Sequence, residues 1–245
     1  MHGKGANAQV VYTVSDLHGY PLEKFKELLK KIGFSDKDFL YILGDIIDRS
    51  GDGGVEMLCW LTEQPNIQLI LGNHEAMLLS CSFVFEEITN DSLESITAEK
   101  LELLNTYMQN GGDVTLKAFH KLIKRSPETV EYILDYLRDA PLYETVSTAQ
   151  NDFLLVHSGL GHFVVKKELY DYDADDFLWT DVKLSDEYFD HVITVFGHKP
   201  TMSFGQEYKG KILKTRTWID IDVGVFLGQN PAVLRLDDLQ EFYAD

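Results

Sequence analysis

The feature that most constrains the fold is a regular alternation of apolar runs and amphipathic segments in the first 71 residues. The apolar runs span residues 10–14, 39–43 and 67–71 and have the composition of buried strands. Between them, residues 22–32 and 55–61 carry apolar side chains at spacings of three and four, which is typical of amphipathic helices. The alternation predicts two consecutive βαβ units.

The pattern changes twice in the rest of the chain. Residues 76–139 have a helical pattern that is interrupted near 110–112 and 126–127. Strand-like runs then return at 153–156, 192–196, 217–219 and 232–236. The last two of these runs predict a hairpin-like end. Because strands cluster in both ends of the sequence with helices between them, we expect an α/β fold with two sheets packed face to face and flanked by helices.

The domain organisation follows from the same pattern. We expect residues 1–245 to form a single domain, with a catalytic core at about 9–75 and 150–238 and a helical insert at about 76–141. Residues 1–8 are small, polar and glycine-rich, and we expect an added sequence or a frayed terminus there.

The charge balance narrows the classes of partner. Acidic residues outnumber basic ones by 40 to 22, so the formal net charge is −18. Nucleic-acid binding depends on Lys and Arg, so no nucleic-acid partner is expected. No apolar stretch reaches the roughly 18 residues of a membrane span, and no signal peptide is evident, so a cytoplasmic location without membrane contact is predicted. Cys59 and Cys81 have no CxxC spacing and are expected to be reduced core residues.

Side chains of types that bind metal ions directly follow five of the predicted strands. They are Asp16, His18, Asp45, Asn73, His74, His157 and His198. In open α/β sheets, ligands bind in the crevice at the carboxyl ends of the strands. The sequence therefore predicts that five loops bring oxygen and nitrogen ligands to one place.

The loop after the second strand carries two carboxylates and a guanidinium. In Gly44-Asp45-Ile46-Ile47-Asp48-Arg49, one carboxylate can bridge two ions and the other can orient a histidine. The forked donors of Arg49 can hold a phosphate. Taken alone, Asp48 and Arg49 fit equally well an ion pair on a surface loop.

The other features also have ordinary structural explanations when each is taken alone. Asp16 and His18 fit a turn carboxylate beside a surface histidine, and Asn73 fits a helix N-cap. His157 and His198 fit hydrogen-bonded residues at strand ends. Because all five features fall at corresponding strand ends, their joint occurrence favours a shared site.

Taken in order, five motifs resemble those of the calcineurin-like metallophosphoesterases. They are Asp16-Leu17-His18-Gly19, Gly44-Asp45-Ile46-Ile47-Asp48-Arg49, Gly72-Asn73-His74-Glu75, Val156-His157 and Gly197-His198. The chain specifically resembles the branch of serine/threonine phosphoprotein phosphatases that includes phage-lambda-type and bacterial members. Two further segments look like that branch, Asn110-Gly111-Gly112 and Ile221-Asp222-Val223-Gly224.

The resemblance implies two metal ions and an acid catalyst. The implied ligands are Asp16, His18 and Asp45 for the first ion, and Asp45, Asn73, His157 and His198 for the second. It further implies that His74 is the general acid and is oriented by Asp48. Arg49 and Asn73 would hold the phosphoryl oxygens of the substrate.

The chemistry of two metal ions agrees with that assignment. Two ions about 3.5–4 Å apart can lower the pKa of a shared water and stabilise the attacking and leaving oxygens of an in-line displacement. We expect hydrolysis of phosphomonoesters by a metal-bridging hydroxide, as in a serine/threonine protein phosphatase, on a phosphorylated protein or a small phosphomonoester. The mixed carboxylate, amide and imidazole donors suit Mn²⁺, our first choice, and also Fe or Zn²⁺.

The chain departs from the family pattern at the substrate clamp. Ser50 stands where glycine is usual after the Asp-Arg pair. The segment Leu178-Trp179-Thr180-Asp181 resembles one that carries a second phosphate-binding arginine in phage-type enzymes, yet no arginine occurs between His157 and His198. Lys183 or Arg216 is a candidate substitute, and Lys199 stands where threonine is common.

Two other functions remain open. A symmetrical dinucleoside-tetraphosphate hydrolase shares the metal site but resembles a pattern with Ala at the position of Asp48 and Asp at that of Glu75. Both residues therefore favour the phosphoprotein branch, and an acidic surface is expected to repel polyphosphates. A catalytically silent binding module is the third possibility, and the missing second arginine is the only feature that supports it.

Overall fold

The computed structural model describes residues 9–87, 89–90 and 94–244. The predicted βαβ units form β1 (Val11–Val14), α1 (Leu22–Lys31), β2 (Phe39–Leu43), α2 (Val55–Leu61) and β3 (Ile67–Ile70). The three strands are parallel, with Val14 opposite Ile42 and Leu43 opposite Ile70. The expectation of two consecutive βαβ units is confirmed.

Helices occupy most of the next segment, as predicted. They are α3 (Asn73–Ser80), α4 (Ala98–Tyr107), α5 (Asp113–Ile123) and α6 (Pro127–Arg138). The predicted interruption at residues 110–112 is a π-helical turn, Met108–Gly112, in which Gly111 has a φ of 96°. The second interruption precedes Pro127, which is the first residue of α6, where the missing N–H group of proline costs no hydrogen bond.

The second sheet contains β4 (Tyr143–Ser147), β5 (Asp152–Val156), β6 (Val192–Phe196), β7 (Leu213–Lys214) and β8 (Trp218–Asp220). Its strand order is β4-β5-β6-β8-β7, and β5, β6 and β8 are parallel. A short helix, α7 (Ala174–Leu178), lies in the connection between β5 and β6.

The predicted pairing of the last two strand-like runs is wrong. The final strands are β9 (Ala232–Arg235) and β10 (Gln240–Tyr243), and β9 pairs with β1 and β10 in the first sheet. The strand-like run at 217–219 corresponds to β8 of the second sheet, where β8 pairs with β6 and β7. Residues 221–231 between β8 and β9 are too long for a tight hairpin turn and carry the chain from one sheet to the other.

The two sheets pack face to face, as expected. One buried cluster combines side chains from both sheets, among them Leu43, Ile70, Phe153, Val195 and Leu234. α1 and α2 cover the other face of the first sheet, where Phe25 and Leu58 are fully buried. The parallel strands of both sheets end at one edge of the sandwich, because residues that follow β5 and β6 contact residues that follow β2 and β3.

Two further expectations, for the cysteines and for membrane spans, can be compared with the structure. Cys81 is buried and Cys59 is half-buried, and neither forms a disulfide. Within the described residues, no helix is long and apolar enough to span a membrane. The expectation for residues 1–8 lies outside the described residues.

Candidate metal centre

Every predicted site residue follows a strand, and together they surround one buried point. The order is Asp16 and His18 after β1, Asp45, Asp48 and Arg49 after β2, Asn73 and His74 after β3, His157 after β5 and His198 after β6. All except Arg49 and His198 are at most 3% exposed. Polar side chains buried to this degree require partners, which the geometry at the site supplies.

The backbone of these loops is unusual. Eight described residues other than glycine have a positive φ, and six of them belong to the predicted site: Asp16, His18, Asp45, Asp48, Arg49 and His198. Gly44 also has a positive φ, and a Cβ atom there would lie 2.5 Å from the Cα of Gly72. Left-handed conformations of non-glycine residues cost on the order of 1–3 kcal/mol each and concentrate at functional sites.

Asp45 lies at the centre of the cluster. Its Oδ2 is 3.7 Å from His18 Nε2 and 3.8 Å from His74 Nε2. Its Oδ1 is 3.4 Å from His157 Nε2 and accepts a hydrogen bond from the main-chain N–H of His74 at 3.1 Å. The two carboxylate oxygens therefore face two separate groups of histidines, which is the arrangement that a bridging ligand needs.

Two groups of side chains offer ligand atoms that lie within 4.8 Å of one another, His18 with Asp45 and His74, and Asp45 with His157 and His198. Asp16 adjoins the first group, because its Oδ1 is 3.9 Å from His18 Nε2. Ligands held about 2.1 Å from one ion are roughly 3–3.5 Å apart, so modest adjustment would let Asp16, His18 and Asp45 bind one ion and Asp45, His157 and His198 the other.

Asn73 links the histidines of the second group. Its Oδ1 is 2.8 Å from His157 Nε2 and 3.1 Å from His198 Nδ1. The main-chain N–H of His198 donates to Asp16 Oδ2 at 2.9 Å, which joins the two groups. Asn73 is the first residue of α3 and follows the N-cap Gly72, so the N-cap interpretation of Asn73 does not apply.

Main-chain carbonyl groups orient two of the imidazoles. His18 Nδ1 lies 3.0 Å from the carbonyl oxygen of Ile47, and His157 Nδ1 lies 2.8 Å from that of Leu43. Each Nδ1 must donate to its carbonyl, because a carbonyl oxygen only accepts. The unprotonated Nε2 of each ring then points into the cluster as a lone-pair donor, as in known metal sites.

The electrostatics of the cluster suit a cation. Burial is the largest cause that raises the pKa values of Asp16 and Asp45 well above the usual range. Burial likewise lowers the pKa values of His18 and His157 well below theirs, and it lowers that of His198 to about 4. These three imidazoles are therefore neutral at pH 7 and do not compensate the carboxylates.

One buried atom of the cluster has no protein partner. The Oδ1 atom of Asp16 has no hydrogen-bond partner within the described part of the chain. Oxygen and imidazole nitrogen donors that converge on one buried point fit divalent transition metals. The residues present therefore fit the two ions that the sequence motifs imply.

Beside the cluster, Asp48 and Arg49 contact opposite nitrogens of His74. Asp48 Oδ2 is 2.6 Å from Nδ1, and the guanidinium of Arg49 is 3.0 Å from Nε2. Because an arginine only donates, Nε2 is the acceptor in this arrangement and the ring proton sits on Nδ1. His74 is thus held in one orientation, with Nε2 3.8 Å from Asp45 Oδ2.

Four residues support the site in roles that the sequence does not predict. Tyr107 and Thr115 donate to Asp48 Oδ1 at 2.7 and 2.6 Å. The carboxylate of Glu75 accepts the main-chain N–H groups of four residues, Asp45, Ile46, Ile47 and Gly72. Phe226 stacks on Arg49, with 4.1 Å between the guanidinium carbon and the ring centre. Only Glu75 has a signal in the sequence, its place in the Gly-Asn-His-Glu motif.

Arg216, a candidate for the missing arginine, and Lys199, which stands where threonine is common, both pair with acidic residues. Arg216 pairs with Glu187 and Asp190 at 2.8 and 2.9 Å. Lys199 pairs with Asp181 and donates to the carbonyl of Val182. Lys183, the remaining candidate, is exposed on the segment between His157 and His198.

The chain belongs to the calcineurin-like phosphoesterase family, whose model matches residues 10–225. The match confirms the superfamily that the five motifs indicated. It extends over β1 to β8 and includes every residue of the candidate metal centre.

Several curated relatives with significant similarity carry the same name. "Bis(5'-nucleosyl)-tetraphosphatase, symmetrical" of Acidovorax sp. (strain JS42) is 28% identical over 152 residues, which are 61% of this chain and 44% of that protein. The enzyme of the same name from Buchnera aphidicola subsp. Schizaphis graminum is 41% identical over 71 residues, 29% of this chain and 26% of the relative. The chain thus spans less than half the length of these relatives.

Solved structures share the fold along nearly the whole chain. A protein provisionally described as a diadenosine tetraphosphatase has a TM-score of 0.62 at 17% identity and covers 97% of this chain and 94% of its own. A protein serine/threonine phosphatase from Saccharomyces cerevisiae has a TM-score of 0.56 at 13% identity, with 96% and 74% covered. Identities this low show the fold alone.

Proposed function

We propose that the chain hydrolyses phosphomonoesters with two divalent metal ions, as a serine/threonine protein phosphatase does. The observation that carries this proposal is the pair of Asp48 and His74, joined at 2.6 Å beside the metal ligands. A buried carboxylate on Nδ1 stabilises the protonated imidazole, which can then give the Nε2 proton to a leaving alkoxide. Alkoxides are poor leaving groups, so monoesters of serine and threonine benefit most from such an acid.

The proposed ligands are those that the resemblance implies. They are Asp16, His18 and Asp45 for one ion and Asp45, Asn73, His157 and His198 for the other, with Mn²⁺ as the expected metal. When bound, two such ions would acidify a water and stabilise the attacking and leaving oxygens. Mass spectrometry of the metal-loaded protein should find two ions per chain, and a single ion would contradict the assignment.

The protein groups around the ions would bind and orient the substrate. Arg49 and the amide of Asn73 would hold the phosphoryl oxygens. In this structure an N–H group of Arg49 donates to His74 Nε2. A bound phosphate would accept that N–H group instead. His74 Nε2 would then be free to carry a proton. Two bound divalent ions would outweigh the charges of Asp16 and Asp45, so the loaded site would attract a phosphate despite the net charge of −18.

A second candidate is the hydrolysis of dinucleoside tetraphosphates, and the curated relatives favour it over the first. The local positive charge of the loaded site weakens the expectation that polyphosphates are repelled. A nucleoside diphosphate leaves readily without a proton, so this substrate has less need of the Asp48–His74 pair. The two candidates therefore differ in how much they depend on His74.

The deciding experiment compares three substrates with added Mn²⁺: a phosphothreonine peptide, p-nitrophenyl phosphate and diadenosine tetraphosphate. Initial rates are measured for the wild type and for His74→Asn. Preference for the monoesters, with the peptide rate most reduced in the variant, would support phosphomonoester hydrolysis. Preference for the dinucleotide, with ADP as the sole product, would replace it by the second candidate. Metal binding without turnover of any substrate would indicate a silent binding module.

We further propose that residues 1–245 form one domain, in which the insert at about 76–141 selects the substrate around a core at about 9–75 and 150–238. A single cooperative transition on urea unfolding is the expected result. Two separate transitions would contradict it.

A further inference from the structure

The turn after β8 places an aromatic ring over the candidate site. Val225–Leu227 form a 3₁₀ turn that is bracketed by Gly224 and Gly228, with φ values of 87° and 85°. Three main-chain hydrogen bonds close the turn, including that from Leu227 N–H to the Gly224 carbonyl at 3.0 Å. Such left-handed glycines let the chain reverse at both ends of so short a turn.

Phe226 is the residue of this turn that faces the site. The guanidinium carbon of Arg49 lies 4.1 Å from the centre of its ring. The ring also meets that of His18 edge to face, with 5.4 Å between centroids and an interplanar angle of 83°. Phe226 therefore packs between the expected phosphate-binding residue and an expected ligand of the first ion.

Arg49 has few other restraints on its guanidinium. Within the described residues, no carboxylate lies within 4.0 Å of its side-chain nitrogens. Its main chain is fixed, because its N–H donates to the Gly111 carbonyl at 3.0 Å and its φ is 66°. The side chain is thus held by the contact with His74 and by the face of the Phe226 ring.

We propose that Phe226 is a positioning residue for Arg49, a role that rests on the proposed function of Arg49 in holding phosphoryl oxygens. The face of an aromatic ring attracts a guanidinium by cation–π interaction and leaves all its N–H groups free in the plane. A carboxylate partner would instead occupy those donors. The stack keeps the fork of Arg49 directed at the metal centre while its donors stay available for a phosphate.

The first test compares Phe226→Leu with Phe226→Tyr, because leucine keeps the apolar bulk and tyrosine keeps the aromatic face. With p-nitrophenyl phosphate and Mn²⁺, the leucine variant should raise KM and the inhibition constant of inorganic phosphate by about twofold to thirtyfold. The tyrosine variant should stay within about twofold of the wild type on both measures. Leu227→Ala, in the same turn and 46% exposed, is the matched control.

The second test places Phe226→Leu in an Arg49→Ala background. If Phe226 acts through Arg49, the second substitution should change KM and phosphate inhibition by less than about twofold there. An undiminished effect, a loss of bound metal in the leucine variant, or an equal effect of Leu227→Ala would overturn the proposal.

Failure of the proposed function and failure of the positioning role give different results. If the wild type turns over no substrate, the proposed function fails, whereas calorimetric binding of inorganic phosphate to the Mn²⁺-loaded protein still reports on Phe226. Weaker phosphate binding by Phe226→Leu but not by Phe226→Tyr would support the positioning role. Equal binding by all three proteins would refute it.

Discussion

The replacement Asp48→Asn tests the proposed acid catalyst most directly. Asp48 Oδ1 accepts from Tyr107 and Thr115, so the amide oxygen of an asparagine would take that side. Its NH₂ group would then face Nδ1 of His74, where the carboxylate now accepts at 2.6 Å. Because NH₂ only donates there, Nδ1 must become the acceptor. The variant therefore removes the stabilisation of a doubly protonated imidazole while it preserves the size of the side chain.

The expected loss of kcat in Asp48→Asn depends on the leaving group of the substrate. A positioned general acid contributes about 10²–10⁴-fold to the rate, so kcat on a phosphothreonine peptide should fall by at least about 10²-fold. p-Nitrophenolate leaves without a proton, and kcat on its phosphate should fall by about tenfold or less. Both rates are measured under saturating Mn²⁺, with metal content confirmed by mass spectrometry.

Tyr107→Phe is the control for this experiment. It removes one donor to Asp48 Oδ1 at 2.7 Å and leaves the contact with His74 in place. We expect it to lower the free energy of unfolding by about 1 kcal/mol and to change both rates by less than about tenfold. Equal losses on both substrates in Asp48→Asn would refute the assignment of His74 as an acid. Rates like those of Tyr107→Phe would show that Asp48 is a structural residue.

Three further predictions concern a candidate ligand, the support of its loop and the buried carboxylate of Asp222. Glu75→Ala leaves four main-chain N–H groups without their acceptor. It should lower the free energy of unfolding in urea by roughly 3–5 kcal/mol. A loss below about 1 kcal/mol would show that Glu75 does not hold the loop in place. His157→Ala should reduce bound Mn²⁺ from two ions per chain to one, and retention of both would exclude His157 as a ligand. In the metal-free protein, burial raises the pKa of Asp222 to about 7, so its ionised form destabilises the fold above that pH. Asp222→Asn should therefore be more stable than the wild type at pH 8, and this advantage should shrink by about 1 kcal/mol at pH 6 as the wild type takes up the proton. An advantage that is independent of pH would contradict this explanation.

The sequence predicts the parts of the fold that depend on local pattern. The strands β1, β2 and β3 are buried on both faces, so they appear as continuous apolar runs, and the helices between them show one apolar face. The strands β4 and β10 are half-exposed and carry polar residues such as Glu144 and Glu241, so they have no comparable signal. The pairing of β8 and β9 with different sheets is decided by tertiary packing, which periodicity does not encode.

The candidate site likewise has residues that the sequence predicts and residues that it does not. Its ligand types are visible in the sequence because each stands directly after a strand, and parallel strands bring those positions together. Tyr107, Thr115 and Phe226 contact the site from a helix end, a helix and a turn that are remote in sequence from Asp48 and Arg49. No spacing rule connects such positions, so only the folded chain reveals them.

The backbone of the site explains why Glu75 is buried there. Asp45 and Asp48 adopt left-handed conformations, and each is expected to cost on the order of 1–3 kcal/mol. The Glu75 carboxylate binds three consecutive N–H groups of the loop from Asp45 to Ile47, and Thr115 accepts that of Asp48 at 3.0 Å. These bonds offset the strain and fix the direction of each side chain. The loop therefore already has its final conformation before an ion would bind. Ordering the loop would then cost little of the free energy of metal binding.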